Sequence, residues 1–264
     1  MPQVELRGLS VAYERRGDGP TLVLLHGFAS DSRAWGPQLE DLANDFTVIA
    51  WDAPGAGRSA DPAEPFETGD WADCLMELLD ELNVRRAHVI GLSWGGIVAL
   101  EFSRRFPSRT RSLVLADTYA GWRGSLPGAV AEERLATCLR LSELPPSELV
   151  SALLSGMFGT LATDEVRREL AGIMSEFHPA GFRLMSMSSA TDTSALLGDI
   201  RSPTLLIWGE EDARSPVSVA HQFQDSIPDA KLVIIPGAGH VSNLEAPARF
   251  DEAIREFCGS LSMP

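Results

Sequence analysis

Short apolar runs recur along this chain, with polar and turn-forming residues between them. Residues 4–14 alternate between polar and apolar side chains as paired edge strands do, and residues 17–20 predict a turn. A buried strand is predicted next, at 22–25. Five further β-prone runs end at Gly, Asp, Ser or Pro: 46–51, 87–90, 112–116, 204–208 and 232–235.

Helical patterns lie between these strands. The clearest places Trp71, Leu75, Leu78, Leu79 and Leu82 on one face of a helix. Strands alternating with helices predict right-handed βαβ units and an α/β fold with a mostly parallel sheet covered on both sides.

The alternation of strands and helices stops between about residues 121 and 197. Four helix-like stretches occur there instead, at roughly 129–141, 146–158, 163–177 and 179–189. We therefore predict one core domain, residues 1–120 and 197–264, with a helical lid inserted at 121–196.

Composition narrows the class of protein. Of 264 residues, 44% are hydrophobic and 22% charged, as in ordinary globular domains. The net charge of −15 argues against nucleic acid or a membrane surface as partner and favours a small neutral or apolar substrate. We expect a cytoplasmic protein, because neither a secretory signal nor a membrane-spanning run is found. The sequence gives no indication of oligomeric state.

No cofactor or metal is expected. The three cysteines, Cys74, Cys138 and Cys258, are far apart and have no CxxC spacing. This pattern indicates neither a disulfide framework nor a zinc site, and it is typical of buried thiols in a reducing compartment.

The segment Gly91-Leu92-Ser93-Trp94-Gly95 matches G-x-S-x-G between a predicted strand and a predicted helix. In such a turn the serine has a strained backbone that lifts its hydroxyl out of the sheet. Glycines two residues before and after it avoid a collision between neighbouring backbone segments. Ser93 is therefore the candidate nucleophile.

Five motifs, in this order, resemble those of the α/β-hydrolase superfamily, and more narrowly its esterase, lactonase and cofactor-free haloperoxidase branches. They are HGF at 26–28, DAPGAGRS at 52–59, the serine turn, WGEED at 208–212 and GAGH at 237–240. The resemblance implies an eight-stranded, mostly parallel sheet flanked by helices, with an inserted helical lid. Segments 113–118 and 239–245 are also similar to those of 3-oxoadipate enol-lactonases.

A serine hydroxyl needs a neutral imidazole to take its proton. His240 is the best candidate, because it follows a predicted strand at the carboxyl edge of the sheet, where sites collect in such folds. Chain order in this fold runs Ser, acid, His, which makes Asp212 the expected carboxylate partner. Asp117 is the alternative, since it ends the preceding strand.

Backbone N–H groups must stabilise the oxyanion of the tetrahedral intermediate. Trp94 supplies one, and the resemblance implies Phe28 for the second. We expect four lid residues, Trp122, Met157, Phe158 and Phe182, to line the substrate pocket.

These residues together predict a serine hydrolase that cleaves a small carboxylic ester or lactone through an acyl-enzyme. Two other chemistries use the same triad and stay open, namely cofactor-free haloperoxidase or perhydrolase activity and carbon–carbon bond hydrolysis. A different class is also open, a ligand-binding receptor that keeps the hydrolase scaffold.

Overall fold

A computed structural model describes residues 2–261, with all side chains in that range except those of Pro146 and Ser147. Its strands are β1 (Gln3–Leu6), β2 (Leu9–Arg16), β3 (Thr21–Leu25), β4 (Thr47–Trp51), β5 (Ala87–Leu92), β6 (Thr110–Ala116), β7 (Thr204–Gly209) and β8 (Lys231–Ile235). They form one sheet in the order β1-β2-β4-β3-β5-β6-β7-β8. Among the described strands only the β1–β2 and β2–β4 pairs are antiparallel, so the sheet is mostly parallel, as predicted.

Helices cover both faces of the sheet. They are α1 (Gly36–Asp41), α2 (Thr68–Glu81) and α3 (Trp94–Arg105) in the first part of the chain, and α9 (Val217–Ser226), α10 (Ser242–Glu245) and α11 (Pro247–Ser260) in the last. In β7, Leu205 and Ile207 pack on the α1 and α11 side, whereas Leu206 and Trp208 pack on the side of α2, α3 and α9. This two-residue alternation confirms a sheet buried between two helical layers.

Between β6 and β7 the described chain has helices and no strand. They are α4 (Trp122–Ser125), α5 (Gly128–Leu141), α6 (Pro146–Leu154), α7 (Asp164–Met174) and α8 (Pro179–Ser189). The α8 helix contacts both α5 and α3. The division of the chain into a core and an inserted lid stays a prediction, and "lid" below denotes residues 121–196.

None of the helices within residues 2–261 is long and apolar enough to cross a membrane. The carboxyl ends of the parallel strands meet at one edge of the sheet. Loops after β3, β5, β6, β7 and β8 therefore converge there, and they carry the residues of the candidate site.

Candidate active site

Ser93 lies at the turn between β5 and α3, with φ 53° and ψ −117°. The turn is cramped, and its glycines are required by close approach of the backbone. A Cβ atom on Gly95 would lie 2.2 Å from the carbonyl oxygen of Leu25, and one on Gly91 would lie 2.4 Å from that of Gly95. Residues held in so sparsely populated a backbone region are typical of functional sites.

Three side chains form a continuous hydrogen-bond relay. The Ser93 Oγ lies 2.9 Å from Nε2 of His240, and Nδ1 of the same ring lies 2.8 Å from Oδ2 of Asp212. Because a carboxylate only accepts, the Nδ1–H group donates to Asp212 and leaves Nε2 free to accept the serine proton. The three residues are 8%, 3% and 4% exposed, in the order Ser93, His240, Asp212, so the relay is shielded from water.

The second oxygen of Asp212 is also occupied. Its Oδ1 accepts hydrogen bonds from the backbone N–H groups of Arg214 and Ser215, each at 2.8 Å. Both oxygens of the carboxylate are therefore fixed, one by the loop after β7 and one by the imidazole.

Asp117, the alternative acid, has other partners. Its Oδ1 accepts from the Gly209 N–H at 2.8 Å, and its Oδ2 accepts from the hydroxyl of Ser242 at 2.6 Å. Burial, followed by the negative charge of Asp212, raises the pKa of Asp117. This carboxyl group joins the end of β7 to α10, and the structure brings Asp212 rather than Asp117 to the histidine.

The two expected oxyanion donors lie beside the serine. Within residues 2–261, neither the Phe28 nor the Trp94 backbone N–H has a protein acceptor, and both residues line the cavity at Ser93. A Cβ atom on Gly27 would lie 3.5 Å from that of Ser93, which places this loop against the serine. His26 holds the loop, because its Nδ1 donates to the Gly27 carbonyl at 2.8 Å and its Nε2 accepts from Ala53 at 3.0 Å.

Two small cavities meet at Ser93 and His240. The larger, of about 40 Å³, has both polar and apolar walls, whereas the smaller, of about 20 Å³, is mainly apolar. The larger is lined by Phe28, Ser93, Trp94, Ile97, Tyr119, Trp122, Arg134, Cys138, Leu153, Met157, Met174, Ser189, Arg214 and His240. The smaller is lined by Gly27, Phe28, Ser30, Ala34, Leu92, Ser93, Met157, Leu170, Met174, His240, Val241 and Leu244.

Of the four expected lid residues, Trp122 and Met157 line the larger cavity. Phe158 and Phe182 line neither cavity at Ser93. The ring centroid of Phe182 lies 4.4 Å from that of Phe28, and the guanidinium of Arg167 lies 4.6 Å from the ring centroid of Phe158. The substrate-binding role of all four stays a prediction.

Sequence reasoning missed Arg134, Arg214 and Tyr119 in the cavity wall. Arg134 lies in α5 and Arg214 in the loop after Asp212, where charged residues are usually solvated. No local pattern distinguishes an arginine that turns inward from one that faces water.

The lid is bonded to the histidine loop. The backbone N–H of His240 donates to the Met157 carbonyl at 2.7 Å. The buried carboxylate of Glu245 bridges the two segments, since it accepts from Gly159 at 2.8 Å and from Gly239 at 2.9 Å. Burial raises the pKa of Glu245. These contacts fix the position of His240 relative to the lid.

Within the part of the chain that the structure describes, no group of three or more His, Cys, Asp or Glu side chains could hold a metal ion. The site itself contains the hydrogen-bond relay and, beside Ser93, the two N–H groups. Together they can activate a hydroxyl and stabilise a negative charge beside it.

A family model described as the alpha/beta hydrolase fold matches residues 20–247, and the chain belongs to this family. A relative from Pseudomonas syringae pv. syringae (strain B728a), described as "Putative carbamate hydrolase RutD", is 30% identical over 92% of this chain and 95% of its own. A thermophilic esterase from Thermogutta terrifontis, solved with malate bound, is 28% identical, with all of both chains covered and a TM-score of 0.91. An enol-lactonase from Burkholderia xenovorans LB400, at 23% identity and a TM-score of 0.85 over 98% of this chain and 100% of its own, shows the same fold.

Proposed function

We propose that this chain is a serine hydrolase that cleaves a small carboxylic ester or lactone through an acyl-enzyme intermediate. The relay of Ser93, His240 and Asp212, closed at 2.9 and 2.8 Å inside a buried cavity, carries the proposal. The similarity to an esterase at 28% identity supports the same reaction type.

In the acylation step, the Ser93 oxygen attacks the carbonyl carbon while Nε2 of His240 takes the hydroxyl proton. The negative charge that develops on the carbonyl oxygen is stabilised by the N–H groups of Phe28 and Trp94. The bond to the leaving oxygen then breaks, and His240 returns the proton to that oxygen. In a lactone the leaving alcohol remains attached to the acyl chain.

In the deacylation step, a water molecule attacks the acyl carbon, and His240 takes its proton. Collapse of the second tetrahedral intermediate releases the acid, and the proton returns to Ser93. Asp212 keeps the imidazole in the tautomer that both steps need and stabilises the imidazolium.

The test is a panel of p-nitrophenyl esters and five- and six-membered lactones, compared by kcat/KM, with carbamates as a further arm because one relative carries that description. We expect turnover by the wild type, and a loss of kcat on the order of 10⁶-fold in Ser93→Ala. Ser218→Ala, at an exposed serine in α9, is the matched control and should keep full activity.

Labelling supplies a second readout that needs no substrate. A fluorophosphonate should modify the wild type at Ser93 and leave Ser93→Ala unmodified. A wild type that is neither labelled nor active on the panel would contradict the hydrolase and favour the receptor class.

A further inference from the structure

Two arginine side chains, Arg134 and Arg214, line the larger cavity beside Ser93. Neither has a carboxylate within ion-pair distance among the residues that the structure describes. The chain has 37 acidic residues against 22 basic ones, so acidic partners are abundant. Two unpaired guanidinium groups in one cavity are therefore a specific feature of this site.

The hydrogen bonds of these arginines leave donors unused. Arg134 donates from Nη1 to the Tyr119 hydroxyl at 2.7 Å and from Nη2 to the backbone carbonyl of Arg214 at 3.3 Å. Arg214 donates from Nη2 to the carbonyls of Leu153 and Ser155, at the end of α6. The Nε atom of Arg214 is inaccessible to water and has no hydrogen-bond partner among the described residues.

A purely structural role explains only part of this arrangement. Capping the last carbonyls of α6 accounts for one nitrogen of Arg214, and stacking on the Tyr119 and Trp122 rings, at 5.4 and 5.6 Å, accounts for the orientation of Arg134. Neither contact neutralises the charge. Burial lowers the pKa of Arg214, and the nearby charge of Arg134 adds to this, whereas Tyr119 and Asp212 oppose it without forming an ion pair. A buried charge without a partner is costly, and a bound anion would remove that cost.

We propose that the substrate carries a carboxylate in addition to its ester or lactone group, and that Arg134 and Arg214 bind this carboxylate in the larger cavity. This inference rests on the proposed function and names its substrate class. A guanidinium pairs with a carboxylate in a planar, two-bond geometry, so it selects an anion and also orients it.

A carboxylate-bearing substrate differs from the neutral substrate that the net charge of the chain favours. The repulsion from a charge of −15 acts at long range and is screened over about 8 Å at physiological salt. Two cations lining the cavity act at contact distance. The local field therefore decides what binds beside Ser93, while the apolar side chains of Leu153 and Met174 contact the rest of a short chain.

The test compares esters that differ only in charge. Monoethyl succinate, glutarate and adipate carry a carboxylate on the acyl side, and their primary amides are the neutral counterparts. O-Acetylglycolate and O-acetylglycolamide place the same difference on the alcohol side. In at least one pair, the wild type should favour the carboxylate in kcat/KM by about tenfold or more, the range expected for a charge-assisted pair.

Arg134→Gln should reduce that carboxylate-to-amide ratio to near one. Turnover of the amide by the same variant shows that it is folded. Arg140→Gln, at an exposed arginine on the same helix, is the matched control and should keep the wild-type ratio. A ratio near one in the wild type, or a ratio that Arg134→Gln leaves unchanged, would overturn the carboxylate site while leaving the hydrolase intact.

Binding to Ser93→Ala, measured by calorimetry with the same ester pairs, separates the two proposals. The single variant Ser93→Ala should still prefer the carboxylate, and so should the double variant Ser93→Ala with Arg140→Gln. The double variant Ser93→Ala with Arg134→Gln should lose this preference. That pattern without any wild-type turnover would support the anion site and contradict the hydrolase. Equal binding of the carboxylate and the amide member of each pair in all three proteins would contradict the anion site.

Discussion

His240 is bonded through its backbone and through both ring nitrogens. Its N–H donates to the Met157 carbonyl at 2.7 Å, its Nδ1 faces Asp212, and its Nε2 faces Ser93. The ring therefore has one tautomer and one orientation available in the resting state. Under the proposed mechanism, the orientation of the base depends on Asp212 more than on any other side chain.

Asp212→Asn tests that dependence. An asparagine presents either an N–H or a carbonyl to Nδ1, and it removes the negative charge that stabilises the imidazolium. We expect kcat on the best ester to fall by about 10⁴-fold, with the fold and KM much less affected. Steady-state kinetics, with thermal unfolding to verify the fold, would measure this.

Asp117→Asn is the matched control for the acid. Asp117 bonds to Gly209 and Ser242 and not to the imidazole, and an asparagine keeps its size and an acceptor for Gly209. We expect kcat to change by less than about tenfold, because its effect on the base is indirect. A larger loss in Asp117→Asn than in Asp212→Asn would transfer the role of triad acid to Asp117.

The sequence predicts those site residues whose positions depend on their neighbours along the chain. Ser93 follows from the steric demands of one turn, and His240 follows from a glycine loop after a strand. The choice between Asp117 and Asp212 stays open in the sequence, because both residues follow strands that end at the same sheet edge. The inward turn of Arg134 depends on how α5 packs against α4 and α8, and no sequence spacing records that packing.

At the scale of elements, the segment after α6 shows where periodicity fails. The apolar pattern predicts a helix at 146–158, whereas α6 ends at Leu154. Ser155 is extended and Gly156 has φ 68°, so the chain leaves the helix there. The following residues bond to the histidine loop instead, and Phe158 consequently lies outside the cavity. The strands of the parallel sheet are predicted more closely, because burial on both faces makes them short continuous apolar runs that end at turn-forming residues.

Asp251 lies where α11 packs on α1, and its contribution to the free energy of unfolding should depend on pH. Its side chain is buried and accepts a hydrogen bond from Gln38 at 3.0 Å. Burial raises its pKa to about 7 from the ordinary value of 3.8; the Gln38 hydrogen bond and Arg255 oppose this rise, and the charge of Asp41 adds to it. Between these two pH values the folded state binds more protons than the unfolded state. This carboxyl group therefore lowers the free energy of unfolding as pH rises from about 4 to about 7.

We therefore expect Asp251→Asn to match the wild type in stability near pH 4 and to exceed it above pH 7. The difference there is on the order of 4 kcal/mol at most, at about 1.4 kcal/mol for each pH unit between the two pKa values. Urea unfolding of both proteins from pH 4 to 8 measures it. Asp225→Asn, at an exposed aspartate in α9, should show no such divergence. A constant difference across this pH range would contradict the assignment.

At the scale of the whole molecule, the site is closed. The relay is nearly buried and the larger cavity is about 40 Å³, far below the roughly 300 Å³ at which ligand pockets begin. Under the proposed function, we therefore expect that part of the lid moves before a substrate reaches Ser93. Each lid helix contributes a side chain to the lining of this cavity, so we expect the movement in these helices.

We expect α5, the least buried helix of the lid, to be the part that opens. Of the fourteen residues of α5, only Ala131 and Cys138 are buried, whereas seven of the eleven in α8 are. The α8 helix is also tied to the core, where Ser188 bonds to Thr68 at 2.8 Å. Elements with few buried contacts open at low free energy, so amide hydrogen exchange in α5 should be at least about tenfold faster than in α8 and β7. Exchange measured by mass spectrometry on peptides from these three elements tests this. Faster exchange in α8 than in α5 would contradict the prediction and place the moving part of the lid in α8.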